Sequence, residues 1–327
     1  MKDLAIIMLD WNGAEDTIEC LESIKNYSLY DIYLLDNGSK FENSKILIDF
    51  LSDSQFIDMV EMCSVDNIPV TDKPIVYVHS DYNYGFAGGN NLIAKKICDR
   101  YRYILLLNND TVVPQGTIES MLKTAIDKKT IALTCDIRFF YKKDELWNAG
   151  GYFTILGERK YYSQKRIDRL KNDGVSFIDA PFITGCAMLI ISDYISKNGL
   201  FTDKFFHGEE DFNFCYKLKQ KNLRTGVDIS VLLYHKVGRT INKDPGRMIN
   251  SMVVHYTNRV IDFKEFYSKP RWSIWKRMYI LLAFVKRCVS GMRIKDAFRL
   301  CRKIKYYSNT YQNVDKTVFE KIMQSEF

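Results

Sequence analysis

The feature that most constrains this chain is an alternation of short apolar runs with helix-period segments through residue 137. Residues 4–9 are apolar, Ile18, Leu21 and Ile24 then recur at helical spacing, and residues 31–36 read as a second strand. Residues 75–79, a helix after Gly88, residues 103–107, a helix from about Gly116 to Asp127, and residues 131–137 extend the series. Such βαβ grammar predicts an α/β fold with a mainly parallel, Rossmann-like central sheet flanked by helices.

Beyond that series, residues 141–176 are polar, aromatic and irregular, as expected of a loop or β-excursion covering a cleft. Residues 177–192 are strand-like around Gly185, residues 209–221 helical and residues 224–235 again strand-like. After Asn250 the pattern is helical, and Trp272, Trp275, Tyr279, Leu282, Val285 and Val289 share one predicted face. A division follows into an α/β body, 1–250, and a helical, basic, amphipathic C-terminal extension, 251–327.

Charge separates the same two parts. The formal net charge is +7, but residues 269–306 carry twelve Lys or Arg against Asp296 alone, leaving the remainder at −4. An acidic body with one basic amphipathic end points to an anionic membrane surface, not to nucleic acid. The longest apolar run, 279–285, falls far short of the ~20 residues a spanning helix needs, so this end is expected to lie on a bilayer. The apolar start is too short for a signal sequence, and the chain is expected to be cytoplasmic, peripheral on the inner face of the cell membrane. Eight cysteines without a CxxC pair read as reduced, mostly buried thiols.

The chemistry-bearing residues cluster at predicted strand ends. Trp11-Asn12-Gly13 closes the first strand, Asp36-Asn37-Gly38-Ser39 the second, and Asn108-Asn109-Asp110 the strand ending at Leu107. Ligands of open α/β sheets sit beyond these ends, so Asp110 is placed to hold a metal ion and Asp36 or Asn12 to meet a pyrimidine base. Turns favour the same residue types. Between a strand and a helix, residues 83–91 run Asn-Tyr-Gly-Phe-Ala-Gly-Gly-Asn-Asn, where small residues let backbone N–H groups approach a phosphate or sugar. No GxGxxG or GxxxxGK[ST] pattern occurs, which disfavours dehydrogenase and P-loop readings. Glu209, Glu210 and Asp211 open a helix, where acids favour the dipole or serve as a general base. His235, beside Gly238 and Arg239, ends a strand and can complete a metal site.

Taken in order, these segments, with Gly185-Cys186-Ala187, resemble the inverting glycosyltransferases of family 2, which have the GT-A fold, over roughly residues 3–240. Neighbouring relatives are bacterial rhamnosyl-, glucosyl- and galactosyltransferases of polysaccharide and glycan assembly. The resemblance implies that Trp11, Asn12, Gly13 and Asp36 bind the base. Asn83, Gly85, Phe86, Ala87, Gly88, Asn90, Asn108 and Asn109 would line the nucleotide-sugar pocket. Asp110 and His235 would hold a divalent metal, Mg2+ or Mn2+. Asp211 would be the catalytic base, with Glu210, Gly185, Cys186 and Trp147 on the acceptor side and Glu209 only biasing the helix dipole. The implied partners are a nucleotide-sugar donor and a glycan or lipid-linked acceptor.

The chain departs from the family pattern at Asn108, where the fuller motif has Asp, at Asn213, where many relatives carry an acid, and at Arg239, usually a smaller residue. Ser268 precedes Arg271-Trp272 where processive synthases have Gln, so single-sugar addition is expected. A nucleotidyltransferase would need a cation in the 83–91 segment, which has none. A non-catalytic, membrane-associated nucleotide-sugar-binding module would keep the tail and dispense with Asp211.

Overall fold

A computed structural model describes residues 2–25, 29–53, 55–237 and 245–325; Gly238 and Arg239 lie outside them. The first half contains β1 (Leu4–Asp10), α1 (Ala14–Ser23), β2 (Tyr30–Asn37), α2 (Phe41–Leu51), β3 (Val60–Ser64) and β4 (Ile75–Ser80). It continues with α3 (Gly85–Ile97), β5 (Tyr103–Leu107), β6 (Thr111–Val112), α4 (Thr117–Lys128) and β7 (Ala132–Phe139). Next come β8 (Lys142–Asn148), β9 (Gly151–Phe153), β10 (Arg159–Tyr161), α5 (Gln164–Asn172), β11 (Phe177–Asp179) and β12 (Ala187–Ile191). The series ends with α6 (Ser192–Asn198), α7 (Glu210–Gln220), β13 (Thr225–His235), α8 (Pro245–Phe266), α9 (Lys269–Val289), α10 (Ile294–Thr310) and α11 (Lys316–Gln324).

The sheet runs β11-β13-β7-β12-β5-β1-β2-β4-β3. Strand β1 is parallel to both β2 and β5, and β4 continues the parallel set. Chain order reverses at β1, so the crevice beyond the carboxyl ends of β1 and β5 is the natural ligand site. Strand β12 lies antiparallel to both β5 and β7. The apolar runs are continuous because both sheet faces are covered: Ala5 and Ile7 enter one core cluster, Leu4, Ile6 and Met8 the other.

Four differences from the expected elements have physical causes. Helix α3 begins at Gly85 rather than after Gly88, so most of the small-residue segment is helix and not loop. Edge strand β3 has a single buried residue, Val60, too little apolar pattern to read in sequence. The excursion forms β8 on β7, a β9–β10 hairpin and α5. The strand expected over 177–192 is two strands, because β11 pairs with β13 while β12 inserts between β5 and β7.

In the C-terminal region, α8 runs across position 250 and α9, α10 and α11 pack with it. The expected face of α9 splits. Trp275 stacks between Phe263 and Tyr279, with ring centroids 4.4 Å and 4.8 Å away, and its Nε1 donates to the Leu156 carbonyl. Trp272 Nε1 donates to the Val260 carbonyl, whereas Leu282, Val285 and Val289 are exposed. No helix among the described residues is long and apolar enough to cross a membrane. All eight cysteines are free; Cys20, Cys135, Cys186 and Cys215 are buried, and burial pushes each thiol pKa up.

Candidate active site

The reversal point opens into a cleft of ≈ 1180 Å³, lined at the strand ends by Trp11, Asn12, Gly13, Asn108, Asn109 and Asp110. Asn83, Gly85, Phe86 and Asn90 form a second wall. A cleft of this size exceeds the roughly 300–1,000 Å³ of most small-molecule sites, leaving room for an extended ligand.

The strand-end turns are held by polar contacts that crossed the sequence reading. Asn12 adopts a left-handed φ of 55°, accepts from the Lys40 N–H and takes its own N–H to Ser39 Oγ. A Cβ at Gly13 would lie 2.8 Å from Asn109 Nδ2 and force that side chain to shift. Asn109 turns inward, donating to Asp10 and Thr17, so its side chain braces the turn.

Asp36 occupies a different position from the one expected. It is fully buried and does not line the cleft; Ser44 Oγ, the Tyr77 hydroxyl and the Ser39 N–H all donate to it. Buried and held by these three donors, Asp36 supports the turn. Its register partner Asp10 is equally buried; burial raises its pKa, against hydrogen bonds from Thr17, Ser39 and Asn43 that lower it. Sequence inspection passed over Asp10, although an acid closing an apolar run was the available signal.

In α3 the small residues divide by task. Asn83 Oδ1 accepts from the Gly85 N–H, and Asn37 bonds Asn83, the Tyr84 N–H and the Gly85 carbonyl, fixing the helix entry. Gly85 has φ +73° and no room for a Cβ, which would meet the Phe206 carbonyl oxygen at 2.2 Å. Ala87 is core, Gly88 packs against Tyr84, and neither lines the cleft.

Asp110 and His235, 125 positions apart in sequence, meet with Oδ1 and Nε2 2.9 Å apart. Pairing of β13 with β6 puts His235 opposite Thr111, and the Lys236 N–H donates to the Asp110 carbonyl. Two atoms bound side by side to one divalent ion at about 2.1 Å each lie about 3 Å apart, so this pair fits neighbouring ligands of one ion. No cluster of three or more such side chains able to hold a metal is found among the described residues. Trp147 packs edge-on against His235 at 4.4 Å, placing it on this side of the site. Lys236, missed in sequence, lines the cleft with its side chain largely buried between Asp16 and Glu19, each 2.6 Å away.

At the start of α7, Asp211 pairs with Arg159 of β10 and lies 3.5 Å from the Gly185 N–H. A Cβ on Gly185 would stand 3.2 Å from Phe86 and 3.8 Å from the Asp211 Cβ, so this glycine lets the helix approach the cleft wall. Cys186 is buried, and its carbonyl accepts from the Asn108 N–H. Glu210 is buried with Oε2 unpartnered, and burial followed by the Asp211 charge pushes its pKa up to about 8. His207 lines the cleft nearby, its pKa lowered by burial. Asp211 is not a cleft-lining residue itself, while Phe86 and His207 are.

Glu209 is more than a dipole-biasing acid. It is buried at φ 83°, and both carboxylate oxygens meet Arg259 of α8. Arg259 also donates to the Gly157 carbonyl in the β9–β10 turn and stacks on Phe212 at 3.3 Å. Asn213 donates to Asp262 of the same helix at 2.6 Å. Helix α11 adds Lys316, Phe319 and Met323 to the cleft wall, with Phe319 against Phe206. These long-range contacts carried no local sequence signal.

A family model described as glycosyl transferase family 2 matches residues 5–199. The chain is similar to the low-salt glycan biosynthesis hexosyltransferase Agl10 of Haloferax volcanii, 21% identical over 319 residues, covering 94% of this chain and 88% of that protein. Among solved structures, it is similar to the mannosyltransferase PcManGT from Pyrobaculum calidifontis in complex with GDP-Man and Mn2+. The TM-score is 0.52 at 12% identity, over 98% of this chain and 85% of that one. GalNAc-T7 with UDP, GalNAc and Mn2+ gives a TM-score of 0.61 at 12% identity, over 99% of this chain and 56% of that one. At such identities the likeness establishes the fold, which is the GT-A architecture.

Proposed function

The chain belongs to glycosyl transferase family 2, and on that premise we propose that it transfers one hexosyl residue, with inversion, from a UDP- or dTDP-sugar to a hydroxyl of a glycan or lipid-linked acceptor. The reading places it in glycan assembly at the inner face of the cell membrane, with 1–250 as the catalytic unit and 251–327 packed on it. The observation that carries it is the meeting of Asp110, which lines the cleft built on the sheet's reversal point, with the buried His235 behind it. A divalent metal held by these two residues would offset the charge gathering on a departing diphosphate.

Asp211 takes the proton of the acceptor hydroxyl as the new glycosidic bond forms. Its neighbour Glu210, with a pKa near 8, keeps its own proton at neutral pH and is a poor base there. Arg159 and the Gly185 N–H hold the Asp211 carboxylate in place until an acceptor enters. Trp11, Asn12 and Asn108 form the donor side, Trp147 and the Gly185–Cys186 turn the acceptor side.

The test is turnover of a nucleotide-sugar panel with Mn2+ or Mg2+, followed by NMR of the product anomer. Release of nucleoside diphosphate with an inverted linkage is expected. Consumption of added pyrophosphate, with formation of nucleoside triphosphate and sugar 1-phosphate, would identify a nucleotidyltransferase, and donor binding without turnover on any acceptor a binding module.

A further inference from the structure

Helix α9 has two apolar faces, and its own domain covers one of them. Trp275, Tyr279 and Ala283 are buried against the body. On the adjoining arc Ile274, Met278, Leu281, Leu282, Val285 and Val289 are exposed, Ile274 at 69%, Leu281 at 61% and Val289 at 84%. At about 100° per residue these six fall within an arc of roughly 100°. Exposed apolar residues scattered singly need no explanation, but a continuous stripe along a whole helix marks an interaction surface.

What the stripe fits is set by its borders. Arg277 is exposed on one flank and Lys286, 3.6 Å from Glu158, on the other. Across the turn from Val289, Ile294 and Phe298 of α10 are exposed at 70% and 63%, with Lys295, Arg299, Arg302 and Lys305 exposed on the same helix. In this segment Asp296 is the only acid, and it is buried and paired with Arg293. An apolar arc with cations at both margins matches an anionic interface, where the apolar groups enter the acyl boundary and the cations meet headgroups.

We propose that the outward face of α9, centred on Leu281 and Val285, docks the enzyme in its plane on an anionic bilayer. The aromatic residues Trp272, Trp275 and Tyr279, expected from sequence to be the anchors, instead fasten the helix to the catalytic body. The docking face therefore holds the cleft-bearing domain at the lipid surface without a flexible tether. This goes beyond the proposed transfer reaction and does not depend on it.

The test is co-sedimentation of the full chain with phosphatidylcholine vesicles and with vesicles containing phosphatidylglycerol, at low and high salt. Binding to the anionic vesicles alone, weakened by salt, is expected. The double variant Leu281→Glu/Val285→Glu should lose at least about tenfold in binding, since neither side chain can then be buried in the acyl boundary without placing a carboxylate there. Its melting temperature and its turnover of a water-soluble acceptor should be unchanged, because both positions are exposed. Absence of parent binding to either vesicle, or equal binding to both, overturns the proposal. So does a parent dimer in sedimentation velocity that the double variant dissociates without altering vesicle binding, which would assign the stripe to a second copy of the chain.

Discussion

The Arg159 guanidinium lies 3.3 Å from the Asp211 carboxylate, joining the β9–β10 hairpin to the first turn of α7. The contact crosses 52 residues of sequence and puts a cation from the excursion beside the proposed base.

Asp211→Asn keeps the shape of this contact and an oxygen for Arg159 but removes the proton acceptor. Turnover should fall about 10²- to 10⁴-fold, the usual worth of general-base catalysis. Stability should change by no more than about 1 kcal/mol. Steady-state kinetics on a true acceptor together with urea unfolding check both expectations; half the parental activity in the variant would remove Asp211 from the role.

Glu209→Gln should behave in the opposite way. It leaves Arg259 buried without its charge partner, a loss typically costing about 3–5 kcal/mol. A large fall in the denaturant midpoint is expected, with turnover per folded molecule much less affected. A variant as stable as the parent would show that the pair contributes nothing net.

Glu210 makes a pH prediction. Its folded pKa of about 8 exceeds the ordinary 4.5, so between those values the folded chain holds a proton that the unfolded chain has released. Stability from this group is full below pH 4.5 and is withdrawn as pH rises toward 8, by up to about 1.4 kcal/mol per unit. Asp262, raised by burial and by Glu209, adds the same sign. Glu210→Gln should flatten the slope and raise the melting temperature at pH 8 relative to the parent; parallel melting curves from pH 5 to 8 would exclude the raised pKa.

Metal binding at Asp110 and His235 is testable without turnover. Mn2+ at a hundredfold excess over its Kd should stabilise the parent by about 2.7 kcal/mol in the presence of a nucleoside diphosphate. Asp110→Ala and His235→Ala should each abolish that thermal shift, and EDTA should reverse it in the parent. An undiminished shift in Asp110→Ala would place the ion elsewhere.

The parts of the fold that could be read from sequence are those encoded by local pattern. Residues 4–9 and 103–107 announced buried parallel strands because parallel strands covered on both faces need no polar alternation. Asp110 and His235 were legible as polar residues ending such strands, and their meeting is where topology agrees with the motif. Asp36 misled because its own segment does not show that Tyr77 and Ser44 will surround it. The Glu209–Arg259 pair and the α11 wall depend on packing across 50 or more positions, which no spacing rule reaches. The helical period of α9 revealed one apolar face; that a second would remain uncovered follows only from docking of the first.

The buried cysteines turn the sheet into a reporter of its own opening. Cys20, Cys135 and Cys186 belong to one core cluster and Cys215 to the other, so thiols sit on both sides of one sheet. With burial holding these thiols protonated, alkylation at neutral pH must wait for the layer around each to part. Pulsed labelling followed by peptide mass spectrometry would thus time the exposure of each side separately. Because Cys186 adjoins Gly185 and Cys215 lies one turn beyond Asp211, the two clocks would also show whether the Gly185 turn or the start of α7 loosens first.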